Sequence, residues 1–439
     1  MKLKLIITSL LLAFTLQVSA DAQRHLVLLK GSAKNFDSSV NALGATVVFR
    51  HDKTGFAVVE GLNEEGAATL AGMKSVDSVA PNFSFELPNT VQGDIELNPG
   101  DQIMSPEDPT TAFFYPRQWN LRAVEADNAW AAGRTGSSDV TVAILDTGIA
   151  YTHADLAGLV DLERSASFLP LDDFYAGLFF PDLHPITDLH YHGTHVAATV
   201  ASNAFAAAGV TSNLTLMGVK VCSVVGGCPG DAIFAGIIHA VDNGADVINM
   251  SLGGSFSKRE YPGAAGFFNK LYNYASAQGV TIVVSAGNSG LDLDHDGDGY
   301  KTYCTTPATI CVSATGPTAA DSSVGPFYEV DALAPYSNFG RSAINVAAPG
   351  GSAQPVRAAC SNTSLIISIC QTGTYVVGLN GTSMAAPHVS ALAGLMVEDH
   401  GRNPGRIKTA IQNSADDLGQ PGVDPAYGKG RINVMNAVD

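Results

Sequence analysis

Basic side chains are scarce in this sequence. Lys and Arg number 24 among 439 residues, against 41 Asp and Glu, leaving a formal charge of −17. A surface of that sign repels nucleic acid and anionic membranes at long range, so neither is expected as a partner. Charge of either sign is sparse too, at 15 % of positions against 46 % hydrophobic, which excludes a disordered chain and predicts a folded, enzyme-sized domain. Long apolar runs are missing beyond the first twenty residues. The run that is there, Leu5 to Leu16, falls short of the ~20 residues a spanning helix needs, so no membrane anchor is expected. Cysteine is absent before position 222, which denies the leader the residue that a lipid-modified precursor would carry.

What is there begins with a secretory pattern. Lys2 and Lys4 precede the apolar run, and small Ser19 and Ala20 close it, so residues 1–20 read as a signal peptide and the chain as secreted. All six cysteines follow, at 222, 228, 304, 311, 360 and 370, in three close pairs that suit an oxidising compartment. Nearest-neighbour pairing is expected: Cys222 with Cys228, Cys304 with Cys311 and Cys360 with Cys370, each bracketing a short Gly-, Pro- or Ser-containing segment. Six free thiols are the alternative.

Residues 24 to about 87 read as a small α+β unit: HLVLL, TVVF and GFAVVEGL as strands, two helices between them, and VDSVAPNFSFEL as the last strand. From Pro88 to Pro116 the sequence is rich in Pro, Gly, Asn and Asp and reads as a linker and cleavage zone. Beyond it, strands alternate with helices. VTVAILDTGI, LTLMGVKVCSV, ADVINMSLGG and VTIVVSAGNSG are continuously apolar, as parallel strands buried on both faces should be. The fold class expected is therefore α/β: a mostly parallel central sheet with helices on both faces, preceded by the small α+β domain. The domains expected are 1–20, 21–105 and 106–439.

Three short blocks fall where such a sheet places its active site, at carboxyl ends of strands and in turns leading to helices. Asp146 ends a strand, while His192 and Ser383 each open a helix. A hydroxyl needs an imidazole to take its proton, and the imidazole needs a carboxylate to fix its tautomer; each block supplies one of these. AILDTGI, HGTHVA and GTSMAAPHVS, in that order, resemble the three signatures of the subtilisin-like serine proteases. QWNLRAVEADNAW, DVINMSLGG and YGKGRINVMNAV extend the resemblance over roughly Gln118 to Val438.

The resemblance implies a serine endopeptidase acting on protein and peptide substrates. Ser383 would be the nucleophile, His192 the general base and then acid, and Asp146 its orienter, with Asn288 of VVSAGNSG in the oxyanion hole. Ser251, Leu252 and Gly253 would pair with an extended substrate, and Gly253, Gly254, Ala286 and Gly287 would line the primary specificity pocket, leaving room for bulky apolar side chains. Residues 24–87 are similar in layout to the family's propeptide, which implies a self-processed precursor inhibited by its own N-terminal unit, and a monomer.

Some features depart from the pattern or stand apart from it. Ala198 occupies a place usually held by Gly, Tyr191 is an uncommon neighbour of His192, and the aromatic stretch from Asp161 to Leu189 reads either as a substrate rim or as a surface insertion. DLDHDGDGY sets Asp292, Asp294, Asp296 and Asp298 at alternate positions, like the start of a calcium loop, so structural calcium is expected even though Tyr303 or Thr305 stands where the loop's closing Glu would be. Two rival readings remain: a metallohydrolase using His190, His192 and His195, and a catalytically silent binding protein on a protease fold.

Overall fold

The computed structural model describes residues 24–439 apart from 32, 88–90, 99–102, 254, 255, 258, 260–263, 296, 298, 301–303 and 305. The expected signal peptide, Gly254, Asp296 and Asp298 lie outside the described residues.

Strands β1 (Arg24–Leu29), β2 (Thr46–His51), β3 (Phe56–Glu60) and β4 (Val76–Pro81) form an antiparallel sheet in the order β2-β3-β1-β4. Helices α1 (Phe36–Ala42) and α2 (Glu64–Ala71) complete a split β-α-β layout. The apolar runs of β1 and β3 are explained by burial on both faces. Val27, Leu29, Ala57 and Val59 pack with Phe36, Val40 and Leu70 of the two helices. Leu26, Leu28, Phe56 and Val58, one residue out of phase, pack instead against the rest of the chain.

That second face rests on α5 (Gly230–Asp242) and α6 (Ala264–Ala277), which follow α3 (Pro170–Phe179) and α4 (His192–Val200) in the chain. Phe56 meets Phe234 edge-on at 5.5 Å, and Phe83 meets Phe234 at 5.8 Å. Each such buried side chain contributes about 1.5–3 kcal/mol. The rim is polar: Asp231 accepts from Arg24 at 2.7 Å and from the Asn82 amide at 2.8 Å.

The large domain is built on seven parallel strands in the order β14-β13-β12-β11-β7-β9-β8. They are β7 (Thr141–Asp146), β8 (Ala166–Ser167), β9 (Thr215–Lys220), β11 (Val247–Met250), β12 (Thr281–Ser285), β13 (Thr309–Thr315) and β14 (Val346–Pro349). Every residue of β7, β11, β12 and β13 is buried. The chain winds from β7 toward β9 on one side and β11 on the other, and this reversal opens a crevice beyond the carboxyl ends. Helix α7 (Thr382–His400) lies across the sheet, buried from Thr382 to Met396. No helix of the described residues is long and apolar enough to cross a membrane.

Two edges matter for the crevice. β5 (Ser84–Glu86) pairs antiparallel with β10 (Gly227–Pro229), and the Leu87 N–H donates to the Gly226 carbonyl at 2.8 Å. β6 (Val91–Leu97) pairs antiparallel with β16 (Tyr375–Asn380), which pairs in turn with β15 (Val356–Ala359). Val91–Leu97 falls in the stretch read as linker. Its Gly, Asp and Glu are weak strand formers, and the strand exists because β16 offers it a ladder. The insertion between Asp161 and Leu189 contains α3, anchored by Asp172, which receives the buried Lys220 ammonium at 3.2 Å and the Val224 N–H at 2.9 Å. Phe174 and Leu178 on the same helix are exposed.

The disulfides join Cys222 to Cys228, Cys304 to Cys311 and Cys360 to Cys370. The first of them closes the turn that carries β10.

Candidate active site

Asp146 is the last residue of β7 and is fully buried. Its carbonyl accepts from the Val221 and Cys222 N–H groups at 2.9 and 3.1 Å, which ties the strand end to the exit of β9. Its carboxylate accepts from Thr147 N–H at 2.8 Å and from His192 Nδ1, which lies 2.8 Å from Oδ1 and 3.0 Å from Oδ2. That contact assigns the Nδ1–H tautomer and leaves Nε2 as the basic nitrogen. Two glycines let α4 come this near. A Cβ at Gly193 would stand 2.2 Å from the Gly148 carbonyl, and one at Gly148, whose φ is +110°, would stand 2.2 Å from the Ile186 carbonyl.

Asp188 is one residue that sequence reasoning missed. Fully buried, it accepts from Thr147 Oγ1 at 2.9 Å, His190 N–H at 2.9 Å, Thr194 N–H at 3.0 Å and Thr194 Oγ1 at 2.6 Å. Thr147 Oγ1 accepts in turn from the Gly193 N–H at 2.9 Å. One carboxylate thereby clamps the strand carrying Asp146 to the helix start carrying His192. Desolvation pushes its pKa up, and the surrounding donors oppose that shift. An Asp shortly before a helix start that carries Thr was the available signal, as an anion favoured at a helix N-terminus.

Ser383 sits in the first turn of α7, where backbone N–H groups have no partner within the helix. Its hydroxyl donates to the Ser251 carbonyl at 3.1 Å, and Ser251 Oγ donates to the Ser383 carbonyl at 2.7 Å. His192 Nε2 is buried without a hydrogen-bond partner among the described residues. Asn288 Oδ1 accepts from Thr382 N–H at 2.8 Å and Thr382 Oγ1 at 2.7 Å, so its carbonyl end is fixed and its amino end is the donor. The structure thus brings Ser251, Asn288 and Ser383 to one place, with Asp146 and His192 paired on the neighbouring elements.

Ser251, Leu252 and Ala286 are buried at the ends of adjacent strands, and Ser285 Oγ ties them by donating to the Leu252 carbonyl at 2.8 Å. Gly287 has φ +99°, and a Cβ there would strike the Asn338 amide at 2.5 Å. Asn338 was not read from sequence. It donates to the Ala286 carbonyl and accepts from the Ser289 and Leu291 N–H groups, at 2.8, 3.1 and 2.9 Å, and so shapes the turn that carries Asn288.

Of the four expected calcium ligands, the structure describes Asp292 and Asp294. Asp294 accepts from the Arg341 and Ser342 N–H groups at 2.7 and 3.1 Å and from Ser342 Oγ, and Asp292 accepts from His295 and from Asp294 N–H. No group of three or more His, Cys, Asp or Glu among the described residues is placed to hold a metal ion. The histidine cluster also diverges: His192 turns to Asp146, while His195 Nε2 donates to the Val356 carbonyl at 3.0 Å. If Asp294 acts only as a hydrogen-bond clamp, Asp294→Ala lowers Tm equally in calcium and in chelator; a loss seen only in calcium would support the cation reading.

Burial drives the imidazoles of His190 and His195 down to about 3 and that of His388 to about 4. His388 lies within 2.8 Å of the Met384 carbonyl and 2.9 Å of the Asn120 amide, so a proton added to the ring would cost it the Asn120 bond. Below the unfolded value the unfolded state binds the proton and the folded state does not. The His388 contribution is therefore whole above about pH 6.5 and is lost as the pH falls toward 4, at about 1.4 kcal/mol per pH unit. Urea unfolding of Ser383→Ala, which is not expected to digest itself, checks this: adding His388→Gln should flatten the slope of stability against pH by that amount between pH 6 and 4.5.

Residues 137–430 match the profile of the subtilase family. The chain is similar to thermitase of Thermoactinomyces vulgaris, with 32 % identity over 76 % of this chain and 99 % of that one. It is also similar to the thermophilic serine proteinase of Bacillus sp. (strain AK1), with 30 % identity over 93 % and 84 %. Among solved structures, the epidermin leader peptide processing serine protease of Staphylococcus aureus superposes with a TM-score of 0.72 at 20 % identity, covering 94 % of this chain and 97 % of that one. Fervidolysin of Fervidobacterium pennivorans superposes at 0.70 and 23 %, covering 95 % and 60 %. At those identities the two structures speak for the fold alone, but the profile spans most of this sequence and both curated relatives align over most of their own lengths: the chain is a serine-type peptidase of the subtilase family.

Proposed function

We propose that this protein is a secreted serine endopeptidase, made as a precursor and freed by its own cleavage, and that Asp146, His192 and Ser383 carry the reaction. The observation that bears most weight is the buried His192 Nδ1 contact with Asp146, with Nε2 left as the base and Ser383 at a helix start beside Asn288.

The steps follow from these positions. The Ser383 hydroxyl, which donates to the Ser251 carbonyl, rotates toward His192 Nε2. Nε2 takes its proton as Oγ attacks the substrate carbonyl carbon, and the imidazolium is stabilised by Asp146. The Asn288 amino group and the Ser383 N–H receive the oxyanion. His192 then protonates the leaving amine as the C–N bond breaks, giving an acyl-enzyme. A water, deprotonated by His192, attacks the ester and returns the serine, so that one peptide and one water become a carboxylate and an amine. No step is routed through calcium.

Substrate is proposed to bind in extended form along Ser251–Gly253 and along the β10 edge. The apolar Phe85 and Leu87 already placed there support a taste for bulky apolar residues. The N-terminal unit, held by its apolar face to α5 and α6, serves as intramolecular inhibitor and folding aid. Export is supported by the leader sequence and the three disulfides.

Casein hydrolysis by the purified protein beside Ser383→Ala and Asn288→Ala tests the reading. Ser383→Ala should be inactive and stay full length by intact mass, and Asn288→Ala should lose about 100- to 1000-fold in kcat with little change in KM. Equal hydrolysis by parent and Ser383→Ala would overturn the assignment.

A further inference from the structure

The ladder between β5 and β10 is longer than the two strands themselves. From Leu87, whose N–H donates to the Gly226 carbonyl, it runs through the Glu86–Gly227, Phe85–Cys228 and Ser84–Pro229 pairs to the Phe83 carbonyl, which accepts from the Gly230 N–H at 2.7 Å. Side chains alternate along it: Phe83 and Phe85 are buried, whereas Ser84 and Glu86 are exposed. Two aromatic rings, two residues apart, therefore face the large domain from one extended segment.

Phe83 lies in a seat whose walls belong to the large domain. Phe234 of α5 and Phe268 of α6 meet edge-on at 4.7 Å and form a corner. The Phe83 ring is stacked on Phe268 at 6.3 Å and stands edge-on to Phe234 at 5.8 Å, the two arrangements that ring quadrupoles favour. The remaining wall is Gly230, the first residue of α5. A Cβ there would stand 2.7 Å from the Phe83 ring. With Phe85, Phe234 and Phe268 packed around it, the ring has little room to retreat, so the missing side chain at Gly230 is what opens the seat.

We infer that this seat is a substrate subsite remote from the cut bond. Once the N-terminal unit has left, it takes an aromatic side chain at the place of Phe83, four residues before that of Leu87, and an alternating aromatic pair, Phe-x-Phe, becomes a recognition element of the mature enzyme. The inference rests on the peptidase reading above. Backbone groups of β10 bind any extended peptide, while Gly230, Phe234 and Phe268 add a choice of side chain.

The test uses the secreted enzyme freed of its N-terminal unit and reads inhibition of a short chromogenic anilide. Three acetylated hexapeptide amides compete with it: Asn-Phe-Ser-Phe-Glu-Leu, the same peptide with Ala at its second position, and the isomer Asn-Ser-Phe-Phe-Glu-Leu, which keeps the composition but turns one Phe to the exposed face. The first should inhibit about tenfold more tightly than either of the others, as expected for burial of one aromatic side chain. Gly230→Ala should bring that ratio close to one, whereas a substitution that only loosened the helix would weaken all three peptides alike. A ratio near one in the parent, or a ratio that Gly230→Ala leaves unchanged, would overturn the inference and leave the peptidase chemistry standing. So would an enzyme that cleaves the anilide while keeping its N-terminal unit, since the seat would stay filled. A parent protein that turns over no anilide would overturn both.

Discussion

How closely α4 approaches the end of β7 governs everything else in the crevice. The His192–Asp146 contact is made between a helix start and a strand end, and neither element fixes the other by local sequence. Asp188 does so, by accepting donors from both at once, and Gly148 and Gly193 do so by removing the Cβ atoms that would hold the backbones apart. A buried carboxylate is costly unless its oxygens are fully used, and Asp188 takes four donors from three residues. Reacting groups displaced by about 1 Å can lose about a hundredfold in rate, so in the proposed mechanism this clamp belongs to the chemistry as much as to the fold.

A second constraint acts across the crevice. Asn288 and Ser383 lie on separate elements, and Thr382 joins them by giving both its N–H and its hydroxyl to Asn288 Oδ1. Thr382 Oγ1 also accepts from the Gly287 N–H at 3.0 Å. The amino end of Asn288 is thereby oriented without any contact to substrate, as the proposed oxyanion role requires.

The sheet, the helices and the three signature blocks were legible because each has a local signature: unbroken apolar runs for strands buried on both faces, three- and four-residue spacing for helices, Gly-rich turns at the strand ends. Asp146, His192, Asn288 and Ser383, the proposed catalytic residues, could be singled out because their neighbours in sequence are distinctive. Asp188 offered only the weak signal of an Asp ahead of a helix start, because its tie to Thr147 spans 41 residues, and Asn338 offered none, its partners lying 47 to 52 residues away. Strand β6 was misread for a related reason. A segment rich in Gly, Asp and Glu has no strand signature of its own and takes its conformation from a partner almost three hundred residues away in sequence. In the acidic loop the alternate Asp residues suggest a cation, and the structure adds what no short window shows, that Asp294 accepts from the 341–342 backbone.

The most direct measurement of the central claim is labelling with a fluorophosphonate, which reacts with a serine hydroxyl only when a neighbouring base activates it. Peptide mapping should find one adduct, on Ser383, at one per molecule, and none after His192→Ala. An adduct on another residue, or undiminished labelling of Ser383 in His192→Ala, would contradict the account.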